Sequence, residues 1–168
     1  FGRVLVLAME LVIEYSDGSS ERIVTDESFR VKGHPVTMSN VYGSEIVDGG
    51  LEIYDWCSEN LDDSDWENAQ AAVGENIPKG KLTEQFQPAM KVIHTYVGKE
   101  INRVKNRIIY DFEQNMSGIL EVELYGKKGD TVCFYPAEKL KENGDVDQYA
   151  KGWTDVNSCI KFIIGKDN

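Results

Sequence analysis

Histidine is the usual general base of a nucleophilic triad, and this chain has only 2 histidines. His34 precedes Pro35 in a turn-rich segment, and His94 lies in a strand-like pattern, where a hydrogen-bonded structural role is the expectation. No serine lies in the G-x-S-x-G turn that exposes the nucleophile of many hydrolases. The sequence therefore predicts no hydrolytic triad and no catalytic residue in this chain.

Carboxylates are the second group of residues able to do chemistry. A carboxylate pair cleaves glycosidic bonds when its members are about 5 Å or about 6.5–9.5 Å apart. With 29 Asp and Glu residues in the chain, composition distinguishes no particular pair.

The acidic cluster Asp62-Asp63-Ser64-Asp65 invites interpretation as a calcium site, because calcium prefers several oxygen ligands on a tight loop. The EF-hand spacing D-x-[DN]-x-[DN]-G is absent, however, and Trp66 follows directly. We favour the alternative that Asp63 or Ser64 caps a turn while Trp66 packs into the core. Because the chain also lacks a phosphate-binding glycine loop, we expect no metal and no cofactor.

The three cysteines, Cys57, Cys133 and Cys159, are far apart and show no zinc-binding spacing. Cys133 and Cys159 both lie in strand-like runs and could face each other. Two hypotheses remain, a disulfide between them or two buried free thiols, and we favour the free thiols.

Aromatic residues in polar, turn-rich surroundings can stack on the apolar face of a sugar. One such stretch runs from residue 42 to residue 56, and loops at the end of a sandwich commonly carry such groups. In a sugar site, its carboxylates would accept hydrogen bonds from sugar hydroxyls. Alternatively, the same residues would contact a neighbouring domain, and we favour this interdomain interpretation. The candidates are Tyr42, Glu45, Asp48, Tyr54, Asp55 and Trp56.

The elements that must position these groups follow a period of two. Apolar residues alternate with glutamates from Met9 to Tyr15, and Asp17-Gly18 then separates this run from a second β-rich run, which predicts a hairpin. Residues 120–124 and 131–135 flank a GKKGD turn and predict a second hairpin. Further strands are predicted at 90–93, 97–104, 108–112 and 159–164, with one helical turn at 137–142. The pattern predicts an all-β fold, an antiparallel β-sandwich with few or no helices.

Length, charge and composition bound the possible partners. The chain has 168 residues, room for one ordinary domain or two small ones, and the connector from Gly74 to Lys81 suggests two parts, 1–76 and 77–168. The net charge of −11 argues against nucleic acid or an anionic membrane as the main partner. The chain starts at Phe1 without a signal-peptide pattern, and we interpret it as a piece of a longer protein.

Five stretches in register resemble the non-catalytic β-domains of bacterial α-L-rhamnosidases, which are large multidomain glycoside hydrolases. They are MELVIEYSDGSSERIVTD at 9–26, YGSEIVD at 42–48, LDDSDW at 61–66, YDFEQNMSG at 110–118 and AEKLKENG at 137–144. This sequence lacks the arginine that follows the aspartate of the second stretch in the family pattern, and it departs from the pattern at four further positions. Phe29 and Ile119 stand in place of tryptophan, Val47 in place of tyrosine and Glu113 in place of glycine.

The resemblance implies that 1–76 is the end of an N-terminal, jelly-roll-like β-sandwich and that 77–168 is a concanavalin-like β-sandwich. The catalytic acid and base of the family reside further on, in an α/α barrel. On this hypothesis the chain is a non-catalytic segment of a parent enzyme that hydrolyses terminal L-rhamnose from glycans or glycosides. Its partners would be the catalytic barrel of the same chain and a rhamnose-containing glycan, and the parent would be periplasmic or extracellular. The alternatives are a stand-alone carbohydrate-binding module and a structural β-domain with no sugar role.

The stretch from Tyr110 to Gly118 predicts a structural role in its own right. Ile108, Tyr110 and Phe112 should point inward from one strand. The side-chain amides of Gln114 and Asn115 should then bond backbone groups in the following turn, and Gly118 should allow a positive φ or a close strand approach. The residues of this structural motif are Tyr110, Asp111, Gln114, Asn115 and Gly118.

Overall fold

The computed structural model describes residues 5–40, 44–74, 77, 80–83, 86–148 and 158–167. Within these residues the chain forms twelve short strands, one 3₁₀ turn and no α-helix, so the predicted all-β fold, built mainly of antiparallel sheets of the β-sandwich type, is confirmed. The strands are β1 (Glu10–Glu14), β2 (Ser20–Val24), β3 (Arg30–Val31), β4 (Val36–Asn40), β5 (Ser44–Asp48), β6 (Glu67–Asn68), β7 (Lys99–Val104), β8 (Arg107–Asp111), β9 (Thr131–Phe134), β10 (Lys139–Leu140), β11 (Val146–Asp147) and β12 (Cys159–Ile163), and the 3₁₀ turn is Gly49–Leu51.

The chain divides into two compact units that interleave along the sequence. The first comprises Phe1–Gly33 and Asp55–Ala89, and the second comprises His34–Tyr54 and Met90–Asn168. Residues 34–54 thus group with the C-terminal half of the chain. The division into domains at 1–76 and 77–168 stays a prediction.

The first unit contains the predicted β1–β2 hairpin. Its register runs from Glu10 opposite Val24 to Glu14 opposite Ser20. The turn is closed by Asp17, whose Oδ1 accepts hydrogen bonds from the Ser19 amide at 2.9 Å and the Ser19 hydroxyl at 2.6 Å. Gly18 has a φ of +85°, which glycine adopts without the steric cost that other residues meet. The short strands β3 and β6 pair antiparallel in the same unit.

The second unit is built around a four-stranded sheet in the order β4-β5-β12-β9. β5 and β12 are parallel, and the other two pairs are antiparallel. One cross-strand row places Val36, Val47, Phe162 and Val132 side by side, so β-branched and aromatic side chains pack on one face. Ile164, directly after β12, is only 4% exposed and anchors this sheet.

Two hairpins complete the second unit. β7 pairs with β8, with an irregularity between Glu100 and Asn102, and β10 pairs with β11. Ile109 in β8 is 4% exposed. Among the residues that the structure describes, the buried apolar side chains are Ile109, Ile164 and Pro35.

Three sequence-based expectations are wrong at the level of elements. Residues 137–142 form no helical turn, because Lys139 and Leu140 pair with Asp147 and Val146 instead. Residues 120–124 and 90–93 belong to no strand within the part of the chain that the structure describes. Strand assignment requires a hydrogen-bonded neighbour, and alternation in sequence does not supply one. The described residues contain no helix of a length and apolarity that would cross a membrane.

The chain exposes an unusually large surface. Its accessible area is 15397 Å², whereas a globular monomer of this mass exposes about 8,400 Å². Side chains that normally lie in a core, such as Phe86, Met90, Ile93 and Ile119, are more than nine-tenths exposed. The described part of the chain therefore leaves large apolar side chains uncovered that a self-contained protein would bury.

Candidate functional site

Of the candidate residues at 42–56, Tyr42 lies outside the described residues, and Glu45 and Asp48 lie on β5. The Asp48 side chain caps the 3₁₀ turn, because its Oδ1 accepts a hydrogen bond from the Gly50 amide at 2.9 Å. The Asp48 amide donates to the carbonyl of Pro35 at 2.8 Å. One carboxylate oxygen of Asp48 is thus engaged in holding the backbone at the end of β5.

Glu45 and Asp48 point to opposite faces of β5, because successive residues of a strand alternate between faces and these two are three positions apart. Glu45 is half-buried and lies opposite Ser39 of β4 and Ile160 of β12. Asp48 lies opposite Ile163. The two carboxylates therefore do not converge on one set of sugar hydroxyls.

Tyr54 lies at a shallow cavity of about 150 Å³. Its side chain is 63% exposed, and the Lys166 ammonium lies 5.0 Å from its ring centroid. This cation–π contact covers one face of the ring, so only the other face is open to a sugar. The cavity is lined by Gly49, Glu52, Tyr54, Leu124, Phe162, Ile164, Gly165 and Lys166.

Asp55 and Trp56 belong to the first unit. Asp55 has a φ of +56°, and its carbonyl accepts a hydrogen bond from the Ser58 amide at 2.8 Å, so it forms a tight turn. Trp56 is 66% exposed. It is the most accessible aromatic surface among the described candidates of this stretch.

The acidic cluster is organised as a turn. Asp62 Oδ1 accepts a hydrogen bond from the Ser64 amide at 3.1 Å, and hydrogen bonds from the Ser64 hydroxyl and amide lower the pKa of Asp62. Asp65 pairs instead with Lys32, at 2.6 Å. The capping residue is therefore Asp62 and not Asp63 or Ser64, because Ser64 is the donor. Among the residues that the structure describes, no group of three or more His, Cys, Asp or Glu is arranged to hold a metal ion.

The Tyr110–Gly118 motif differs from its predicted arrangement on the strand. Ile109 is the buried residue of β8, whereas Ile108 and Tyr110 are exposed, so the predicted inward face is wrong. Residues 108–110 are all apolar or aromatic, so alternation does not distinguish which of them faces inward. Only Phe112 of the predicted inward set is half-buried.

The turn after β8 is held by Asp111 and Gln114. Asp111 Oδ1 accepts a hydrogen bond from the Glu113 amide at 2.8 Å, and Gln114 Nε2 donates to the Asn115 carbonyl at 2.8 Å, as predicted for Gln114. The Asn115 side chain is exposed and has no hydrogen-bond partner within the described part of the chain, so its predicted buried pairing is wrong. Gly118 has no positive φ, and a Cβ there would meet only Met116 Sδ, at 3.9 Å, so its predicted role is also wrong.

Sequence reasoning missed a polar cluster in the second unit. Arg107 Nη1 lies 3.0 Å from Asp145 Oδ2, and its guanidinium lies 4.7 Å above the Tyr135 ring. Burial opposes ionisation of Asp145, but hydrogen bonds from the Val146 amide and from Arg107 outweigh it and lower the pKa of Asp145. The three residues lie far apart in sequence, and no local signal links them.

Two family models match the chain. The model described as the alpha-L-rhamnosidase N-terminal domain matches residues 1–94, and the model described as the bacterial alpha-L-rhamnosidase concanavalin-like domain matches residues 101–161. Together these matches cover most of the chain.

Individual relatives carry the same name and are much longer. The chain is 30% identical over 136 residues to an alpha-L-rhamnosidase of Formosa agariphila, a match covering 80% of this chain and 14% of the relative. The fold resembles that of an alpha-L-rhamnosidase from Dictyoglomus thermophilum, with a TM-score of 0.72, 27% identity, and coverage of 93% of this chain and 17% of that one. It also resembles the Streptomyces avermitilis alpha-L-rhamnosidase solved with L-rhamnose, with a TM-score of 0.82, 23% identity, and coverage of 96% and 15%. The chain thus spans about a seventh of the length of the first curated relative.

Proposed function

Since the chain belongs to the alpha-L-rhamnosidase family through its N-terminal and concanavalin-like domains, we propose that it serves as a non-catalytic β-sandwich segment of a glycoside hydrolase that removes terminal L-rhamnose from glycans or glycosides. The observation that carries this proposal is the coverage of the matches. Nearly the whole chain aligns, yet it corresponds to only 14–17% of the length of the curated relatives.

The exposed apolar surface supports a partner within the same polypeptide. The accessible area is 15397 Å², and it includes apolar side chains that are normally buried in a folded protein. Residues 90–93 and 119–123 are rich in apolar side chains and belong to no strand among the described residues. We propose that other parts of the parent chain cover them, including the catalytic α/α barrel that the family resemblance implies.

The electrostatics of the described carboxyl groups support a non-catalytic role. A glycosidase acid must stay protonated near neutral pH, which requires a raised pKa. Wherever the pKa of a described carboxyl group departs clearly from its ordinary value, hydrogen bonds to serines, backbone amides or arginines lower it. The affected residues are Asp17, Asp26, Asp62, Glu100 and Asp145.

An aryl rhamnoside assay tests the proposal directly. Purified 1–168 should release no 4-nitrophenol from 4-nitrophenyl α-L-rhamnoside above a vector control. A longer protein carrying this segment followed by the barrel should release it. Turnover by 1–168 itself would overturn the non-catalytic assignment, and an inactive longer protein would overturn the assignment of the parent activity.

For the residues at 42–56 we propose an interdomain contact in preference to sugar binding. Three features support this: Glu45 and Asp48 face opposite sides of β5, the Asp48 carboxylate caps a turn, and Lys166 covers one face of Tyr54. Titration of 1–168 with L-rhamnose should therefore leave tryptophan fluorescence and amide NMR shifts unchanged at tens of millimolar. A saturable shift would instead favour a carbohydrate-binding module, the second candidate function.

The family resemblance also supports a proposal for location. We propose that the parent enzyme is periplasmic or extracellular, where rhamnose-containing glycans are accessible. Fractionation of the source cells with an antibody raised against 1–168 tests this, and detection only in the cytosol would contradict it.

A further inference from the structure

Strand register brings two of the three cysteines to the same face of the four-stranded sheet. Cys133 of β9 lies opposite Lys161 of β12, and Cys159 precedes Lys161 by two positions. Because side chains alternate along a strand, Cys133 and Cys159 are diagonal neighbours on one face. Cys159 is the first residue of β12, and β9 ends one residue after Cys133, so the pair lies where both strands end.

The two thiols form a cluster with Tyr135. Both cysteines are half-buried and free, as we favoured from the sequence, although neither is fully buried. Cys133 and Tyr135 both influence the pKa of the Cys159 thiol, which places the three side chains next to one another. Burial, followed by the hydrogen bond with Cys133, raises the pKa of the Cys159 thiol above its usual value of 9.0. Cys57, by contrast, is exposed in the first unit.

We propose that Cys133 and Cys159 are a dithiol pair that closes to a disulfide bond between β9 and β12 by exchange with a small-molecule disulfide such as glutathione disulfide. This inference does not depend on the proposed function. A disulfide requires Cα atoms within about 7 Å, and diagonal neighbours on paired strands lie about 7–8 Å apart, so closure needs only a small approach of β9 and β12 at this end of the sheet.

The exchange proceeds in two balanced steps. One thiolate attacks glutathione disulfide, forms a mixed disulfide and releases one glutathione thiolate. The second cysteine thiolate then attacks the protein sulfur of the mixed disulfide and releases the second glutathione. Two protein thiols are oxidised, one glutathione disulfide is reduced to two thiols, and the two protons pass from the cysteines to the departing thiolates.

Peptide mapping of the full chain tests the proposal. The Cys57→Ser variant, which removes the exposed thiol, is incubated with glutathione disulfide, blocked and digested with trypsin without reduction. The expected product is peptide 129–139 linked to peptide 152–161, separable by dithiothreitol. Cys133→Ser and Cys159→Ser in the same background should each lose the linked pair and carry one glutathione adduct at most. Separate glutathione adducts on both cysteines of the parent variant, or two unmodified thiols, would overturn the proposal.

The pH dependence of the cross-linking rate provides a second measurement, independent of peptide mass. Because the pKa of Cys159 is raised above its usual value of 9.0, its thiolate is scarce at neutral pH, and the rate of cross-linking should still be increasing as the pH passes 9.0. The linked form should also unfold at a temperature about 5 °C higher than the reduced form. A rate that is flat over this pH range, or a lower unfolding temperature, would contradict a bridge formed by this pair.

Discussion

Glu113 adopts a φ of +58°, in the left-handed region that favours glycine, and it occupies the position where the resembling family pattern has glycine. A left-handed conformation costs a non-glycine residue about 1–2 kcal/mol. Lys99 Nζ lies 2.9 Å from both Glu113 carboxylate oxygens, but both side chains are 65% exposed, so this ion pair contributes little. The substitution Glu113→Gly should therefore raise the free energy of unfolding by about 0.5 kcal/mol, after the flexibility of glycine is subtracted.

Urea unfolding of Glu113→Gly and Glu113→Gln measures the effect. The glutamine variant keeps the strained φ and removes only the ion pair, so its midpoint should equal or fall slightly below that of the parent. A glycine variant that is less stable than the glutamine variant would show that relief of the strained φ does not outweigh the flexibility of glycine, and a glutamine variant far below the parent would show that the ion pair governs this turn.

Asp145 predicts a pH dependence. Its pKa is lowered in the folded state, so Asp145 contributes stability that is present above its unfolded pKa of about 3.8 and is lost as pH falls through the lower folded pKa. Asp145→Asn should therefore lower the urea midpoint at pH 7 and have a shrinking effect below about pH 3.8. Glu138→Gln, at an exposed position, serves as the matched control and should have little effect at either pH. If Asp145→Asn lowers the urea midpoint by the same amount at pH 7 and below about pH 3.8, the charge of Asp145 does not have the proposed role.

At the scale of elements, two glycines allow the end of β12 to pass against the 3₁₀ turn after β5. A Cβ on Gly165 would clash with the Gly49 carbonyl oxygen and lie 2.7 Å from the Gly50 nitrogen, both of them backbone atoms that cannot rotate away. Gly165→Ala should therefore cost about 2–4 kcal/mol of stability by forcing the two backbone segments apart. Gly118→Ala, where the new methyl group would meet only Met116 Sδ at 3.9 Å, should change stability far less. Equal thermal midpoints for the two variants would show that the segments separate at no cost.

Local signals predicted the elements that depend on neighbours in sequence. The β1–β2 hairpin follows from alternation and from Asp17-Gly18, and the all-β class follows from the same period of two. The parallel pairing of β5 with β12 joins residues more than a hundred positions apart, and nothing in either strand specifies the other. For the same reason the Arg107–Asp145–Tyr135 cluster was missed, and Glu45 and Asp48 were grouped as one site although strand alternation separates them.

At the scale of the whole molecule, the excess of exposed surface predicts where the chain should change in a longer protein. Apolar segments without a strand neighbour tend to acquire one, because backbone N–H and C=O groups are stabilised by pairing and apolar side chains by burial. Residues 90–93 and 119–123 have this character, with Met90, Ile93 and Ile119 more than nine-tenths exposed.

Amide hydrogen exchange should therefore be fast at 90–93 and 119–123 in isolated 1–168 and at least tenfold slower in a longer protein that carries the same segment. The β1–β2 turn at Asp17-Gly18 is closed by its own side chain and serves as the internal control, because its exchange should change little. Uniform slowing across the chain would indicate general stabilisation only. Fast exchange at 90–93 and 119–123 in both proteins would show that these segments are surface loops. It would contradict the proposal that the rest of the enzyme covers them.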